Sequence, residues 1–188
     1  MNITELIKEE VIKINNNFKN NGGPDYYNSH IKYVVKNAKD LAIKYGADLE
    51  IVELGALLHD IAILFNQGKN HHIHGVKIAE ELLIKYDYSQ DKIEKVKKCI
   101  LNHRGLENFL PTTIEEEIIA DADVISHFDS IPDLFYIAFC RHKLDKIEGI
   151  EYVKKKLERD YNKLSDRSRA ELKERYNNIM KVLFVEHE

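Results

Sequence analysis

Apolar residues recur at three- and four-residue spacing along most of this chain, and sustained alternation of apolar and polar residues is absent. The spacing is clearest in ITELIKEEVIKI, HIKYVVKNAKDLAIKYG, DLEIVELGALLHDIAILF and HGVKIAEELLIKY. Such spacing is typical of amphipathic helices, whereas half-buried strands alternate. Gly46 is placed to end one helix and Asp48 to begin the next. The sequence therefore predicts an all-α, compact multi-helix bundle.

Size and charge narrow the class of protein. The 188 residues suit one domain, and a content of 44% hydrophobic and 32% charged residues describes an ordinary globular protein. No apolar run reaches the roughly 18 to 20 residues of a membrane span, and the first residues are acidic where a signal peptide is apolar. A net charge of −4 argues against a surface for long nucleic acid. We expect a cytoplasmic protein without a membrane or long nucleic-acid partner.

Histidine and aspartate side by side, His59 and Asp60, interrupt the apolar segment at residues 54–65, which we interpret as one core helix. Burial of an ionised aspartate costs several kcal/mol unless a charge or hydrogen bonds compensate. Further histidines and aspartates lie at predicted helix ends or on apolar helical faces: His30, His71, His74, His103, Asp121 and Asp123. Imidazole and carboxylate donors together suit divalent metals such as Zn, Mn, Fe or Ni. A metal between these side chains would explain the buried pair.

Each residue taken alone has a simpler interpretation. His59 would be a hydrogen-bonded core histidine, Asp60 a helix cap or a member of an ion pair, and residues 71–74 a solvated turn. Asp121 and Asp123 cannot both face one site, because residues two apart do not share a helical face; we favour Asp123. The ordered set as a whole favours the metal site.

Two segments carry a family resemblance. ELGALLHDIA and DADVI resemble the HD-pair and closing aspartate segments of the HD-domain superfamily of metal-dependent phosphohydrolases, over residues 25–140 or so. The resemblance implies a single HD-type domain over 1–188, with its core at about 25–140 and a C-terminal helical extension at 141–188. It also implies one metal held by four residues: His30, His59, Asp60 and Asp123. Subgroups with two metals add two histidines, which His71 and His103 resemble, with Asp60 bridging the ions and His74 as the alternative to His71.

The implied activity is hydrolysis of a nucleotide or other small phosphoester with one or two divalent ions per chain, of Mn, Fe, Ni, Co, Zn or Mg. Asp60 would hold metal and orient water, and the candidates for phosphate binding or proton transfer are His74, Arg104 and Asp121. Arg104 is equally well explained as a cation at a helix C-terminus. The expected partner is a small phosphorylated substrate, most simply a nucleotide, with a homodimer left open.

Two departures from the family pattern bear on the substrate. Tyr33 stands where many relatives have an arginine, so Lys32 and Lys36 are the substitutes for phosphate neutralisation. IAILFNQG lacks the acidic residues that follow the HD pair in some nucleotidases and alarmone hydrolases. Two other functions use a similar ligand set: a di-iron oxygenase of HD type, and a non-catalytic sensor that binds a nucleotide over a metal.

Overall fold

The computed structural model describes residues 2–183, and these confirm the all-α prediction. Its helices are α1 (Ile3–Asn20), α2 (Lys32–Tyr45), α3 (Leu49–Leu58), α4 (His71–Lys85), α5 (Gln90–Asn102), α6 (Ile114–Asp129), α7 (Ile131–Tyr136), α8 (Lys146–Lys163) and α9 (Asp166–Val182). Short π-helical turns at Tyr27–Ile31 and Ile137–Arg141 and a 3-10 helix at Ile61–Phe65 complete the set. Extended pairing within 2–183 is limited to one isolated bridge between Leu106 and Phe109. Among these helices none has the length and apolar character that a membrane span needs.

The described residues up to Asp123 form one compact unit, and those from Val124 onward form a second. The division falls inside α6, so it does not coincide with the expected start of the helical extension at residue 141. The single HD-type domain with that extension stays a prediction.

Helix α3 is the centre of the first unit. Seven of its ten residues are buried, which is why its sequence is apolar on nearly every face. Helices α1, α2 and α5 all contact it. At Gly55 a side chain would meet the Cβ atom of Cys99 at 3.1 Å and the Cγ1 atom of Ile119 at 3.2 Å. Glycine therefore lets α5 and α6 approach the α3 backbone closely.

Local signals set the helix ends as the sequence indicates. Gly46 ends α2 with φ 70°, a left-handed conformation that glycine adopts without steric cost. The Asp48 carboxylate accepts hydrogen bonds from the backbone N–H groups of Glu50 and Ile51 and begins α3.

The expectation of one continuous helix through residues 54–65 is wrong. Helix α3 ends at Leu58, His59 is its C-cap, and Asp60 has φ −113° and ψ 17°, outside the α-helical region. The chain then tightens into the 3-10 helix, where the N–H of Ile63 donates to the Asp60 carbonyl at 2.9 Å. Hydrophobic spacing did not reveal this break, because both pieces are equally apolar.

The described part of the second unit has its own apolar core and contains a buried acid. Its buried apolar residues are Val124, Phe128, Leu134, Ala138, Val153, Leu157, Leu164, Leu172 and Leu183. Asp160, only 2% exposed, lies 2.8 Å from the Lys156 ammonium and 3.0 Å from Nδ1 of His127. Burial alone would raise the pKa of Asp160, but His127 and Lys156 outweigh it and lower that pKa to about 2.

We predict that Asp160→Asn lowers the free energy of unfolding by about 2 kcal/mol at pH 7, because the folded state loses a carboxylate with a depressed pKa. The stabilisation is present above the unfolded pKa near 4 and is lost as the pH falls toward 2, so the two proteins should converge in acid. Urea unfolding at several pH values measures this. Asp166→Asn, at a fully exposed side chain in α9, is the control and should change stability far less. Equal stability of Asp160→Asn and the parent at pH 7 would contradict the assignment.

Candidate metal centre

The predicted ligands come from five pieces of the chain, and in four of them the ligand lies where a helix begins, ends or turns. His30 lies in the π-helical turn before α2, and π turns of this kind are frequent at functional sites. His71 is the first residue of α4, and His103 is the C-cap of α5. His59 and Asp60 occupy the break after α3, and Asp123 lies in α6. The structure brings all six side chains together.

The first group of donors consists of His30, His59 and Asp60, with Asp123 beside them. Oδ2 of Asp60 lies 3.5 Å from Nε2 of His30 and 3.3 Å from Nε2 of His59. The two imidazole Nε2 atoms are 3.1 Å apart, and Oδ1 of Asp123 is 3.2 Å from Nε2 of His30. Two imidazoles and two carboxylates thus converge on one buried point.

The second group consists of Asp60, His71 and His103. Oδ1 of Asp60 lies 3.0 Å from Nε2 of His71 and 3.7 Å from Nε2 of His103, and the two Nε2 atoms are 3.2 Å apart. The two oxygens of Asp60 therefore face different groups, which is the geometry of a bridging carboxylate. Side-chain exposure runs from 0% at His59 to 22% at Asp123 in the first group and from 2% at His103 to 15% at His71 in the second, so both groups are largely shielded from water.

Backbone carbonyls orient three of the histidine rings. In each case Nδ1 lies within 2.6–2.9 Å of the carbonyl oxygen three residues earlier, in the pairs His59–Ala56, His71–Gly68 and His103–Ile100. A carbonyl oxygen only accepts hydrogen bonds, so Nδ1 must carry the proton. When such a ring is neutral, it presents the Nε2 lone pair to the centre of the cluster, as metal-binding histidines do.

These contacts are unfavourable without a cation. With Nδ1 of both rings directed at carbonyl oxygens, the Nε2 atoms of His71 and His103 lie 3.2 Å apart, and two neutral rings would have no proton between them. Oδ1 of Asp60 is buried and accepts no hydrogen bond, which is costly for a charged oxygen. A divalent ion would satisfy both rings and the carboxylate, so the residues present fit a metal.

The pKa values show which groups are charged before an ion binds. Burial would raise the pKa of Asp60, but the charge on His59 and hydrogen bonds from His30 and His59 hold that pKa well below its usual range. Burial lowers the pKa of His30, yet the bonds to Asp123 and Asp60 outweigh this and raise it to about 9. Burial and nearby His59 lower the pKa of His103 to about 4, so its lone pair is available. Binding at the first group would displace a proton from His30.

The remaining sequence candidates lie outside both groups. His74 is exposed and Asp121 is buried, and the structure places His71, not His74, beside Asp60. Arg104 directly follows His103, and its Nη1 atom is 3.4 Å from Nδ1 of His72. Catalytic roles for His74, Arg104 and Asp121 stay predictions.

Two side chains that contact this cluster were missed from the sequence. The Tyr26 hydroxyl donates a hydrogen bond to Oδ2 of Asp60 at 2.6 Å. His72 is 2% exposed and its ring packs edge-on against Phe109, with ring centroids 5.3 Å apart. No sequence motif indicates a role for either residue. A tyrosine before a helix is common, and His72 has neighbouring histidines that cannot be distinguished from it in the sequence. Only their tertiary contacts distinguish them.

The family model of the HD domain matches residues 27–128, a segment that contains all six clustered side chains. The chain belongs to the HD-domain family. Together, the HD domain and the His/Asp cluster support divalent metal binding.

Comparison with similar proteins supports the fold but says little about the activity of the whole molecule. A tRNA (cytidine(56)-2'-O)-methyltransferase of Thermoplasma volcanium is 32% identical over 116 residues, which are 54% of this chain and 32% of that protein. An uncharacterized protein of Clostridium beijerinckii is 38% identical over 68 residues, 34% of this chain and 43% of that protein. The chain thus spans less than half the length of these curated relatives. A crystal structure of a "predicted HD superfamily hydrolase" from an uncultured Thermotogales bacterium is 24% identical, with a TM-score of 0.65 over 97% of this chain and 95% of that chain, and shows the shared fold.

We predict two divalent ions per chain at saturation, because each oxygen of Asp60 faces its own pair of imidazoles. His71→Ala should reduce the stoichiometry to one by removing a donor of the second group. His74→Ala is the matched control, since His74 lies three residues further along α4 and outside both groups, and it should keep two. Elemental analysis and calorimetric titration with Mn²⁺ measure the ratio. One ion in the parent protein, or loss of an ion in His74→Ala, would contradict the assignment.

Proposed function

We propose that this HD-domain protein is a metal-dependent phosphohydrolase that acts on a nucleotide or another small phosphoester. The observation that carries the proposal is the buried Asp60 carboxylate with one oxygen toward His30 and His59 and the other toward His71 and His103. Two such adjacent ion sites are the arrangement that clamps a phosphoryl group during in-line displacement. The hydrolase name of the Thermotogales structure agrees with this proposal.

The residues that would hold the ions are the six of the cluster: His30, His59, Asp60, His71, His103 and Asp123. Divalent ions bound there would polarise the phosphoryl oxygen and lower the pKa of bound water toward roughly 7. Imidazole ligands suit Zn, Fe and Ni, and the carboxylates keep Mn and Mg among the candidates together with Co. Elemental analysis of the purified protein identifies the native metal.

The protein's own groups would bind and orient the substrate. Arg104 lies next to a ligand in sequence, is partly exposed, and contacts His72 through its guanidinium, so we assign it to the phosphate, which arginine binds bidentately. The substitutes expected from the sequence are less suited: Lys36 pairs with Asp40 at 2.9 Å, and Lys32 lies over the Tyr33 ring. Proton donation to the leaving oxygen is assigned to His74 or Asp121, which lie outside both ligand groups.

The proposed partner is a small phosphorylated compound rather than long nucleic acid or a membrane. The methyltransferase name of the Thermoplasma relative belongs to a protein of which the match covers about a third. We therefore do not extend methyl transfer to this chain. A cytoplasmic location and a homodimer stay predictions.

We predict release of phosphate or pyrophosphate from a nucleoside phosphate or phosphomonoester when Mn²⁺, Co²⁺, Ni²⁺ or Mg²⁺ is added, and inhibition by a chelator. Asp60→Asn should lower turnover by more than about 100-fold, because it removes the charge shared by both ion sites. Asp91→Asn, at an exposed position in α5, is the control and should keep the parent's rate. A panel of nucleoside mono-, di- and triphosphates, sugar phosphates and tRNA, assayed for released phosphate, tests this.

The two other functions give different outcomes in the same assay. Oxygen consumption by the iron-loaded protein, with no phosphate released across the panel, would replace the proposal with an oxygenase. Tight nucleotide binding without any turnover would replace it with a sensor. Activity that survives both chelator and Asp60→Asn would remove the metal centre from the reaction altogether.

A further inference from the structure

Tyr26 makes the shortest hydrogen bond to the carboxylate that joins the two ligand groups. Its hydroxyl donates to Oδ2 of Asp60 at 2.6 Å, whereas Oδ1 accepts no hydrogen bond. A carboxylate oxygen has two lone pairs, so Oδ2 can accept from Tyr26 and still face His30 and His59. The hydrogen bond from Tyr26 therefore distinguishes Oδ2 from Oδ1, and Oδ1 faces the second group alone.

The Tyr26 ring also contacts a ligand of the first group. Tyr26 precedes His30 by four residues, just before the π-helical turn, and the two ring centroids are 5.1 Å apart. One side chain thus contacts both the bridging carboxylate and a neighbouring imidazole.

Helix α1 fixes the turn that carries Tyr26. Asn15, which is 2% exposed, donates from Nδ2 to Oδ1 of Asp25 at 3.0 Å and accepts at Oδ1 from the N–H of Tyr27 at 2.9 Å. Lys19 adds an ion pair to Asp25 at 2.9 Å. Asn15 therefore holds the residues immediately before and after Tyr26, so the hydroxyl is positioned before any ion binds.

We propose that Tyr26 is a positioning residue for the bridging carboxylate of Asp60. The hydroxyl holds the carboxylate in the rotation that gives one oxygen to each ligand group. Without it, the carboxylate is free to turn and offer both oxygens to a single ion, so the second ion loses its only anionic donor among the residues of its group. The inference rests on the two-ion site of the proposed function, but it concerns metal binding and not the reaction.

Tyr26→Phe tests the proposal, because it removes only the hydroxyl and keeps the ring against His30. Tyr27→Phe is the matched control: Tyr27 is the next residue in the same turn, and burial is the main cause of its raised pKa, with no ligand of the cluster among the causes. Titration calorimetry with Co²⁺ and with Mn²⁺ measures both binding steps, and the visible spectrum of the Co²⁺ form reports the ligand geometry. Circular dichroism and thermal melts in chelator check that each variant is folded.

We expect the second equivalent of Co²⁺ or Mn²⁺ to bind about 10- to 100-fold more weakly to Tyr26→Phe, the range for loss of a group that orients a ligand. The first equivalent should bind as in the parent, the Co²⁺ spectrum should change, and Tyr27→Phe should match the parent. Asn15→Leu is the second variant: it keeps the hydroxyl but releases the turn, and the second equivalent should again weaken. Unchanged binding of both equivalents in whichever variant is folded, or equal weakening of both, would overturn the proposal.

The outcome separates this inference from the proposed function. Weakened second binding in Tyr26→Phe, with no phosphoester hydrolysed by the parent, would support the positioning role and reject the phosphohydrolase. If the parent hydrolyses a phosphoester and Tyr26→Phe binds two ions as tightly as the parent does, the phosphohydrolase is supported and the positioning role of Tyr26 is rejected.

Discussion

A buried carboxylate determines how the first unit of this protein must be arranged. Asp60 is 5% exposed and ionised, and an ionised carboxylate away from water costs several kcal/mol unless donors and cations surround it. His59, at the end of the preceding helix α3, supplies one of them. The other imidazoles near the carboxylate come from the turn before α2, from the start of α4 and from the end of α5, so these elements have to converge on the end of α3. Close packing at Gly55 serves the same convergence by letting α5 and α6 approach.

The two ligand groups of the cluster also differ in how their charge is compensated. In the protein without an ion, a raised pKa lets His30 carry the proton that balances Asp60, while His103 is kept neutral by burial. The first group thus provides its own cation, whereas His103 in the second group keeps a lone pair that an added cation can bind. The same carboxylate serves both groups.

Much of this could be predicted from the sequence. Helical spacing gave the all-α class, and Gly46 and Asp48 gave helix ends, because these depend on local backbone chemistry. The order of His30, the HD pair and Asp123 resembles a family pattern, which brought together residues that lie far apart in the chain. The break at His59 could not be predicted, because apolar spacing reports burial and does not report backbone conformation. Tyr26 and His72 could not be predicted either, because their significance comes from contacts with residues more than thirty positions away.

The end of α3 has a consequence for how such a site can be altered. On a continuous helix, neighbouring side chains diverge by about 100°, and the carbonyl of Ala56 would be bonded to the amide four residues later instead of to the His59 ring. The helix terminus therefore supplies both a free acceptor for the imidazole and the turn that aims the carboxylate beside it. His103 at the end of α5 uses its Ile100 carbonyl in the same way. Substitutions that extended α3 or α5 by one helical turn would therefore move the ligand side chains apart, although every ligand would still be present in the sequence.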